Sequence, residues 1–310
     1  MTGVRKSPPS LSNERRDEDG APGRNTVVFI GGGRITGALL AGLRLSGYDK
    51  PIVVHDRNPG KLRRLRREYG VGVESTLQRA LDQAHLLIVA VRPDSVRELL
   101  QKMKPIPHPQ IAVSLAAGIP LANLRAWTGK TTTGKTTMEK TTMEKTTTGK
   151  TTGKPMRWAR AMPSPVGRSG RGLTALLFER DFPAAARREV RNFFGRVGGV
   201  LEISESKFDA FTVTYSSSHG YHALAALAGA AERVGLDRKT SLTAAAHALA
   251  DGILAWREGN ISLNKLLREA ATPGGISATA MASMDRSGYK RIVEQGLRAG
   301  MGRAKKNARR

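Results

Sequence analysis

The chain has 310 residues, 39% of them hydrophobic, and this length and hydrophobic content are typical of a water-soluble protein large enough for two domains. Its net charge is +25. It contains no cysteine, so disulfides, thiolate catalysis and cysteine-based metal sites are excluded, and its six histidines lack a ligand-like spacing, so no metal is expected. The longest apolar run, near residues 86–91, is too short to cross a bilayer, so we expect a cytoplasmic protein without a membrane partner.

The N-terminal half alternates between strand-like and helix-like patterns. Residues 1–24 are polar and predict a disordered tail. The next elements are strands at 27–31, 51–55, 86–91, 111–115 and about 157–162, separated by helices to about 46, over 60–69, from about 94 and over 120–127. This alternation predicts an α/β fold class, with a Rossmann-type parallel sheet domain over residues 25–178.

The C-terminal half is rich in alanine and helical in pattern. Helices are predicted at 183–195, 207–234, 239–257, 261–270 and 276–302. We therefore predict an all-α domain over residues 179–302 for substrate binding and dimerisation, since small residues let helices pack closely within a chain or between subunits.

Much of the positive charge lies outside these elements. Residues 298–310 carry six basic side chains and no acid, and the threonine-lysine repeat at 129–154 carries six lysines against two glutamates. We predict a low-complexity insertion at 129–154 and a solvated basic tail at 303–310, so the charge does not by itself indicate nucleic acid. Within the repeat, Gly129, Gly134, Lys135 and Thr136 match a phosphate-binding loop, but no buried strand precedes them, so we reject nucleotide hydrolysis.

The strand at 27–31 runs directly into a glycine turn and a helix, the layout that binds a dinucleotide. Gly31 permits a sharp turn, and Gly33 removes a side chain where a pyrophosphate approaches the backbone. Arg34 and Ile35 begin the helix that would direct free N–H groups at the anion, while Thr36 replaces the usual third glycine or alanine. A ligand-free glycine turn is the alternative.

The end of the second strand is where the adenosine ribose is recognised. Asp56 could accept from the ribose hydroxyls of NAD, whereas Arg57, Lys61 and Arg34 could pair with the 2′-phosphate of NADP, and Asn58 lies in the same turn. Because the basic residues outnumber the acid, we expect a preference for NADP, with NAD possible. The alternative is that these charges are solvated.

The chain from about Thr26 to Lys305 resembles the pyrroline-5-carboxylate reductases. Besides the glycine turn, the resemblance lies in four short stretches, which are Ala90-Val91-Arg92-Pro93, Ser114-Leu115-Ala116-Ala117-Gly118, Arg160-Ala161-Met162-Pro163 and Thr272-Pro273-Gly274-Gly275-Ile276-Ser277. It implies NAD(P)H-dependent reduction of 1-pyrroline-5-carboxylate, a small cyclic imine carboxylate, to L-proline, and hence a role in proline biosynthesis. It also implies a homodimer or larger homo-oligomer.

The resemblance assigns roles to these turns, for which plain structural turns remain the alternative. Ala90, Val91, Arg92 and Pro93, together with Ala116, Ala117 and Gly118, would hold the ribose and nicotinamide. The substrate carboxylate would bind a helix N-terminus near Ile276, through Thr272, Gly274, Gly275 and Ser277. Ser277 keeps the hydroxyl of a threonine that hydrogen-bonds the substrate in the family.

Two departures from the family pattern leave the substrate open. Ser164-Pro165-Val166 replaces an asparagine-threonine-proline stretch, and His219 stands where proline is expected, while Ser217 and Tyr221 survive. The spacing of Thr212, Ser216, His219 and Ala223 predicts that they share one helical face, so His219 could point into the pocket and protonate an imine or pair with a carboxylate. A packed histidine bonded to a carbonyl is the alternative.

The candidate catalytic residues are therefore Ser277, Ser217 and His219, and Tyr221 joins the substrate-binding candidates. Two other functions remain open. One is a same-fold NADP-dependent oxidoreductase that acts on another imine, a ketone or a deazaflavin. The other is a non-catalytic dinucleotide sensor or RNA-associated protein, favoured by the basic segments.

Overall fold

The computed structural model describes residues 25–104, 111–128 and 156–309. The strands are β1 Val27–Ile30, β2 Ile52–His55, β3 Gly72–Glu74, β4 Leu86–Val89, β5 Ile111–Ser114, β6 Arg157–Pro163, β7 Gly172–Phe178 and β8 Gly198–Glu202. They form one sheet in the order β3-β2-β1-β4-β5-β6-β7-β8, in which only the β6–β7 pair is antiparallel. The predicted α/β class is confirmed.

Helices cover the sheet and form the C-terminal part. They are α1 Arg34–Leu45, α2 Pro59–Tyr69, α3 Leu77–Asp82, α4 Pro93–Lys102, α5 Leu121–Thr128, α6 Ala184–Gly195, α7 Glu205–Thr214, α8 Ser217–Arg233, α9 Arg238–Glu258, α10 Leu263–Ala270, α11 Ile276–Arg286 and α12 Tyr289–Ala308. Within the described ranges, none of these helices is long and apolar enough to span a membrane.

The core lies on both faces of the sheet because its central strands are apolar throughout. Successive side chains of β1 point to opposite faces, so Phe29 packs with α1 and α6 while Val28 and Ile30 pack on the other side with Trp158. All four residues of β1 are buried, as in a parallel sheet covered by helices on both faces. β1 ends at Ile30, and the glycine turn begins directly after it at Gly31.

The sheet extends beyond its predicted end at residue 178. The helix predicted at 183–195 is α6, but it connects β7 to β8 and so lies within the sheet domain instead of the helical one. β3, α3, β7 and β8 were not predicted from the sequence. β3 has only three residues, and β8 begins with two glycines and is half-exposed at the edge, so neither has a strong periodic pattern.

Two of the long predicted helices are interrupted. The helix predicted at 207–234 ends at Thr214, and α8 restarts after Ser216, whose hydroxyl accepts from the N–H of Ser218. The helix predicted at 276–302 is broken at Gly288, which has a φ of +83°. The expectation that Thr212, Ser216, His219 and Ala223 share one helical face is therefore wrong.

The C-terminal end is helical, not a solvated tail. Residues 303–308 are the last turns of α12, and Ala304 and Asn307 are buried while Lys305 and Lys306 face solvent. The disordered segment predicted at 1–24, the repeat at 129–154 and the rejected phosphate-loop match lie outside the described residues. At the flanks of the repeat, Trp158 Nε1 donates to Thr128 Oγ1 at 3.3 Å, so the insertion joins α5 to β6 at the amino end of the strand.

A buried arginine fastens α7 to the sheet. Arg160 on β6 is only 1% exposed, and its Nη2 donates to Asp209 Oδ1 at 2.9 Å. Its Nη1 lies 3.6 Å from Glu205, and its guanidinium carbon lies 4.3 Å from the centre of the Phe208 ring. All three partners belong to α7, so this cluster sets the position of the first helix of the C-terminal part.

We expect Asp209→Asn to lower the free energy of unfolding by about 3 kcal/mol, because it leaves a buried guanidinium without its nearest carboxylate. Urea titration of the full-length protein measures the change. Asp251→Asn is the matched control, since Asp251 forms an exposed pair with His247 and should change stability by less than about 0.5 kcal/mol. Equal effects of the two substitutions would contradict the role of the Arg160 cluster.

Candidate active site

The carboxyl ends of four neighbouring strands are joined by backbone hydrogen bonds. The N–H of Gly31 donates to the His55 carbonyl at 2.7 Å, that of Ala90 to Ile30 at 2.8 Å, and that of Leu115 to Val89 at 2.9 Å. The turns that follow β2, β1, β4 and β5 therefore lie side by side at one edge of the sheet. In open α/β sheets this edge is where ligands bind.

The glycine turn has the geometry predicted for a dinucleotide-binding loop. Gly31 has a φ of +110°, and a Cβ there would lie 2.6 Å from the carbonyl oxygen of Ala90, so no other residue fits. No atom of the described residues lies within 4 Å of a Cβ placed on Gly33, so the backbone there is open to a ligand. Thr36 is buried, and its hydroxyl donates to the Gly31 carbonyl at 2.5 Å, closing the turn from within.

Helix α1 begins directly at this turn. Gly33 is its N-cap, and within the described residues no side chain caps the free N–H groups of its first turn. An uncapped helix N-terminus beside an open backbone is a site for a phosphate group. Arg34 is exposed at the start of α1, whereas Ile35 packs partly against the core and has a structural role.

A cavity of about 580 Å³ lies against the turns after β1, β2 and β4. Seven of the predicted cofactor residues line it, namely Gly31, Gly33, Asp56, Arg57, Ala90, Val91 and Arg92. Helix α4 also contributes to the lining, which was not predicted from the sequence; its residues Ser95, Glu98, Leu99 and Lys102 face the cavity. Their spacing of three and four residues is the helical periodicity that would have identified this face.

The Asp56 carboxylate is already hydrogen-bonded to groups of the protein itself. Its Oδ2 accepts from the N–H of Gly32 at 2.7 Å and from Lys61 Nζ at 3.3 Å, and its Oδ1 accepts from the N–H of Asn58 at 2.8 Å. Burial raises the pKa of Asp56, but the hydrogen bonds from Asn58 and Gly32 and the charge of Lys61 outweigh it and hold the pKa below its ordinary value. The carboxylate thus ties the glycine turn to the start of α2.

Basic side chains line the same cavity as this carboxylate. Arg57 and Lys61 line the cavity and are exposed, and Lys102 Nζ lies 2.5 Å from Glu98 Oε1 on α4. Asn58 is exposed and caps α2, since its Oδ1 accepts from the N–H of Lys61 at 3.2 Å. Together with the open glycine turn, this cation-rich rim fits the pyrophosphate and 2′-phosphate of a phosphorylated dinucleotide.

The turn after β5 lies beside the cavity but does not face it directly in the described part of the chain. Ala116 and Gly118 are buried, and the Ala117 carbonyl accepts from Asn307 on α12. Pro93 is the first residue of α4, where its fixed φ suits a helix start. The structure therefore places these predicted residues at the same edge, in contact with other parts of the fold.

The turn before α11 has the predicted form of a helix N-terminus. α11 begins at Ile276 with Gly275 as its N-cap, and Gly274 has a φ of +74°. The N–H of Gly275 donates to the Thr272 carbonyl at 2.9 Å, and a Cβ on Gly275 would lie 2.7 Å from Thr272 Oγ1. Ser277 is exposed in the first turn, so its hydroxyl and the free N–H groups are accessible to a carboxylate.

His219 lies at the corner between α7 and α8. Its Nε2 is 2.8 Å from the Val213 carbonyl oxygen. This contact matches one of the two roles that the sequence left open for His219, a histidine bonded to a neighbouring carbonyl. Ser217 is the first residue of α8, and Tyr221 is 68% exposed. None of these residues, nor those of the turn before α11, is among the described residues that line the cavity.

The hydrogen bonds of Asp56 predict a pH-dependent contribution to stability. Because its pKa is lower in the folded protein, the contribution is present above about pH 4 and is lost as the pH falls through the folded pKa. We expect Asp56→Asn to lower the free energy of unfolding by about 2 kcal/mol at neutral pH and to remove this dependence. Urea titrations at several pH values test it, with Asp285→Asn, whose exposed carboxylate pairs with Lys290, as the control. A loss at neutral pH no larger than in the control would refute the role given to Asp56.

Known protein families match the nucleotide-binding part and the helical part of the chain separately. Residues 26–118 match the family model described as NADP oxidoreductase, coenzyme F420-dependent, and residues 205–307 match the pyrroline-5-carboxylate reductase dimerisation model. The Mycobacterium tuberculosis pyrroline-5-carboxylate reductase is 28% identical to this chain over 91% of this chain and 96% of its own. The enzyme of Pseudomonas aeruginosa is 25% identical over 88% and 93%.

Solved structures show the same fold. A Plasmodium falciparum pyrroline carboxylate reductase with NADP bound matches with a TM-score of 0.76 and 17% identity, over 92% of this chain and 99% of that chain. The Streptococcus pyogenes 1-pyrroline-5-carboxylate reductase gives 0.75 and 20%, over 91% and 98%. The two family models, in this order, and the full-length relatives make the chain similar to the pyrroline-5-carboxylate reductases over most of its length.

Proposed function

We propose that the protein is an oxidoreductase that uses NADPH to reduce 1-pyrroline-5-carboxylate to L-proline. The observation that carries the proposal is the glycine turn, closed behind by Thr36 and open at Gly33, at the mouth of a cation-lined cavity. Similarity to pyrroline-5-carboxylate reductases over 91% of the chain, including the helical part, supports this substrate over a deazaflavin, whose family model matches the nucleotide-binding part alone.

The residues at the carboxyl ends of the strands, which we call the nucleotide half of the site, act by binding and aligning the dinucleotide. The open backbone at Gly33 and the N-terminus of α1 take the pyrophosphate, and Arg57 and Lys61 take the 2′-phosphate. The turns at Ala90–Pro93 and Ala116–Gly118 hold the ribose and nicotinamide end along the same edge. When bound, the nicotinamide supplies the hydride that the reaction requires.

The substrate half fixes the carboxylate. The N–H groups at the start of α11 and the Ser277 hydroxyl hold it, with Thr272, Gly274 and Gly275 shaping the turn. Ser217 and Tyr221, both in the first turns of α8, are the further candidates for contact with the substrate. The imine carbon gains the hydride and the nitrogen carries the proton, so one hydride and one proton together convert C=N to CH–NH. Since a protonated imine is already electrophilic, alignment of the two reactants is the main contribution of the protein.

The substrate half also needs a partner. α10 and α11 have no buried residue, although α10 carries a stripe of leucines. Large apolar side chains are exposed along this region, among them Leu227, Leu242, Ile253, Trp256, Leu263, Leu267, Ile276 and Ile292. We infer a homodimer or larger homo-oligomer in which a second copy covers this surface and completes the substrate pocket.

The purified protein should oxidise NADPH when 1-pyrroline-5-carboxylate is added, with the absorbance of the reduced nicotinamide as the readout. Ser277→Ala should lower kcat/KM about 10-fold, because a hydrogen bond to the charged carboxylate is lost, and should leave the KM for NADPH unchanged. Ser283→Ala, in the exposed third turn of α11, is the control.

Three other outcomes separate the proposal from its rivals. Turnover of another imine or a ketone, without turnover of 1-pyrroline-5-carboxylate, would assign the same fold a different substrate. Binding of NADPH without any turnover would favour a dinucleotide sensor. Nucleic-acid affinity that falls steeply with salt would favour an RNA-associated protein.

Cofactor choice should depend on the cations at the rim of the cavity. Arg57→Gln should raise the KM for NADPH about 10-fold and leave the KM for NADH within about twofold, because only the 2′-phosphate is lost as a partner. Arg63→Gln, exposed on α2 away from the cavity, is the matched control. Parallel changes for NADPH and NADH would contradict recognition of the 2′-phosphate by Arg57.

A further inference from the structure

The last turn of α12 is fastened to the turn that follows β5. Asn307 is buried, and its Nδ2 donates to the Ala117 carbonyl at 3.2 Å. In the opposite direction, Asn123 Nδ2 on α5 donates to the Ala308 carbonyl at 2.6 Å. Because a backbone carbonyl can only accept, the side-chain amides of Asn307 and Asn123 each direct an N–H group towards their carbonyl partner. The end of the chain is thus bonded to the sheet domain from both sides.

A second, independent contact is made at Gly118. Its φ is +76°, and a Cβ there would lie 2.6 Å from the Ala304 carbonyl oxygen and 2.9 Å from Ala304 Cα. Glycine is therefore required at this position for its conformation and also for the approach of α12. The α12 backbone packs directly on the turn, with Ala304 buried in the contact.

This turn is tied to the candidate site through the sheet. Leu115 donates its N–H to the Val89 carbonyl at 2.9 Å, and the next residue after Val89, Ala90, lines the cavity. The N–H of Ala116 donates to Ser114 Oγ at 3.3 Å, which fixes the start of the turn. A shift of the turn would therefore reach the β4 side of the cavity first, whereas Asp56 and Arg57 follow β2, which lies two strands farther along the sheet.

We propose that Asn307 is a positioning residue, through which the end of α12 holds the Ala116–Gly118 turn against the nicotinamide end of the bound dinucleotide. The inference rests on the proposed function, since it requires a nicotinamide at this edge. It gives the C-terminal segment a defined task, although its sequence suggests only a basic tail. It also links the reactive end of the cofactor to the helical part that carries the substrate turn before α11.

The test compares full-length wild type with Asn307→Ala and with Asn307→Asp, which keeps the shape but cannot donate. We expect kcat to fall about 10-fold and the affinity for NADPH to fall about fivefold in both variants, because the reacting groups are misplaced. The affinity for 2′,5′-ADP, which lacks the nicotinamide, should stay within about twofold of wild type in titration calorimetry. Lys306→Ala, exposed on the same turn of α12, is the control and should change none of these values.

Each result decides the inference. A merely structural role would lower the unfolding temperature and weaken NADPH and 2′,5′-ADP equally, and that result overturns it, as do variants identical to wild type. If the wild type binds NADPH but does not reduce 1-pyrroline-5-carboxylate, the proposed substrate fails while the binding comparison still tests Asn307. If the wild type binds 2′,5′-ADP and NADPH with equal affinity, no nicotinamide contact exists and the inference is overturned.

Discussion

The close approach of Gly31 to the carbonyl of Ala90 is the constraint on which the candidate site depends. A Cβ at this position would lie 2.6 Å from that oxygen, and the φ of +110° is one that other residues rarely adopt. The same residue donates its N–H to His55 and accepts the Thr36 hydroxyl at its carbonyl. One glycine therefore joins β1, β2, β4 and α1, and the open backbone at Gly33 follows from its placement.

The helical part is attached to this sheet at a few specific points. Arg160 pairs with the carboxylates of Asp209 and Glu205 on α7, and the end of α12 packs on Gly118. Between them, α8 and α9 pack against each other while α10 and α11 bury no residue. Because helices depend on tertiary packing for most of their stability, the proposed second copy would stabilise the middle of this part by covering its exposed apolar surface.

The sequence predicted the elements whose signal is local. The β1 turn and the start of α11 at Ile276 each follow from residue types within a few positions. It failed where the outcome depends on distant partners. The buried face of Asn307, the occupied carboxylate of Asp56 and the inclusion of α6 and β8 in the sheet arise from contacts far apart in the chain, which no periodicity records.

The departures from the family pattern serve local structure. Ser164 is buried and its hydroxyl accepts from the N–H of Val166, capping the short 3₁₀ turn after β6. His219 bonds the Val213 carbonyl across the break between α7 and α8. Each side chain is thus engaged within a few residues of its own position. In the proposed function, recognition of the carboxylate would fall to the N-terminus of α11, because its free N–H groups favour an anion whatever ring carries it.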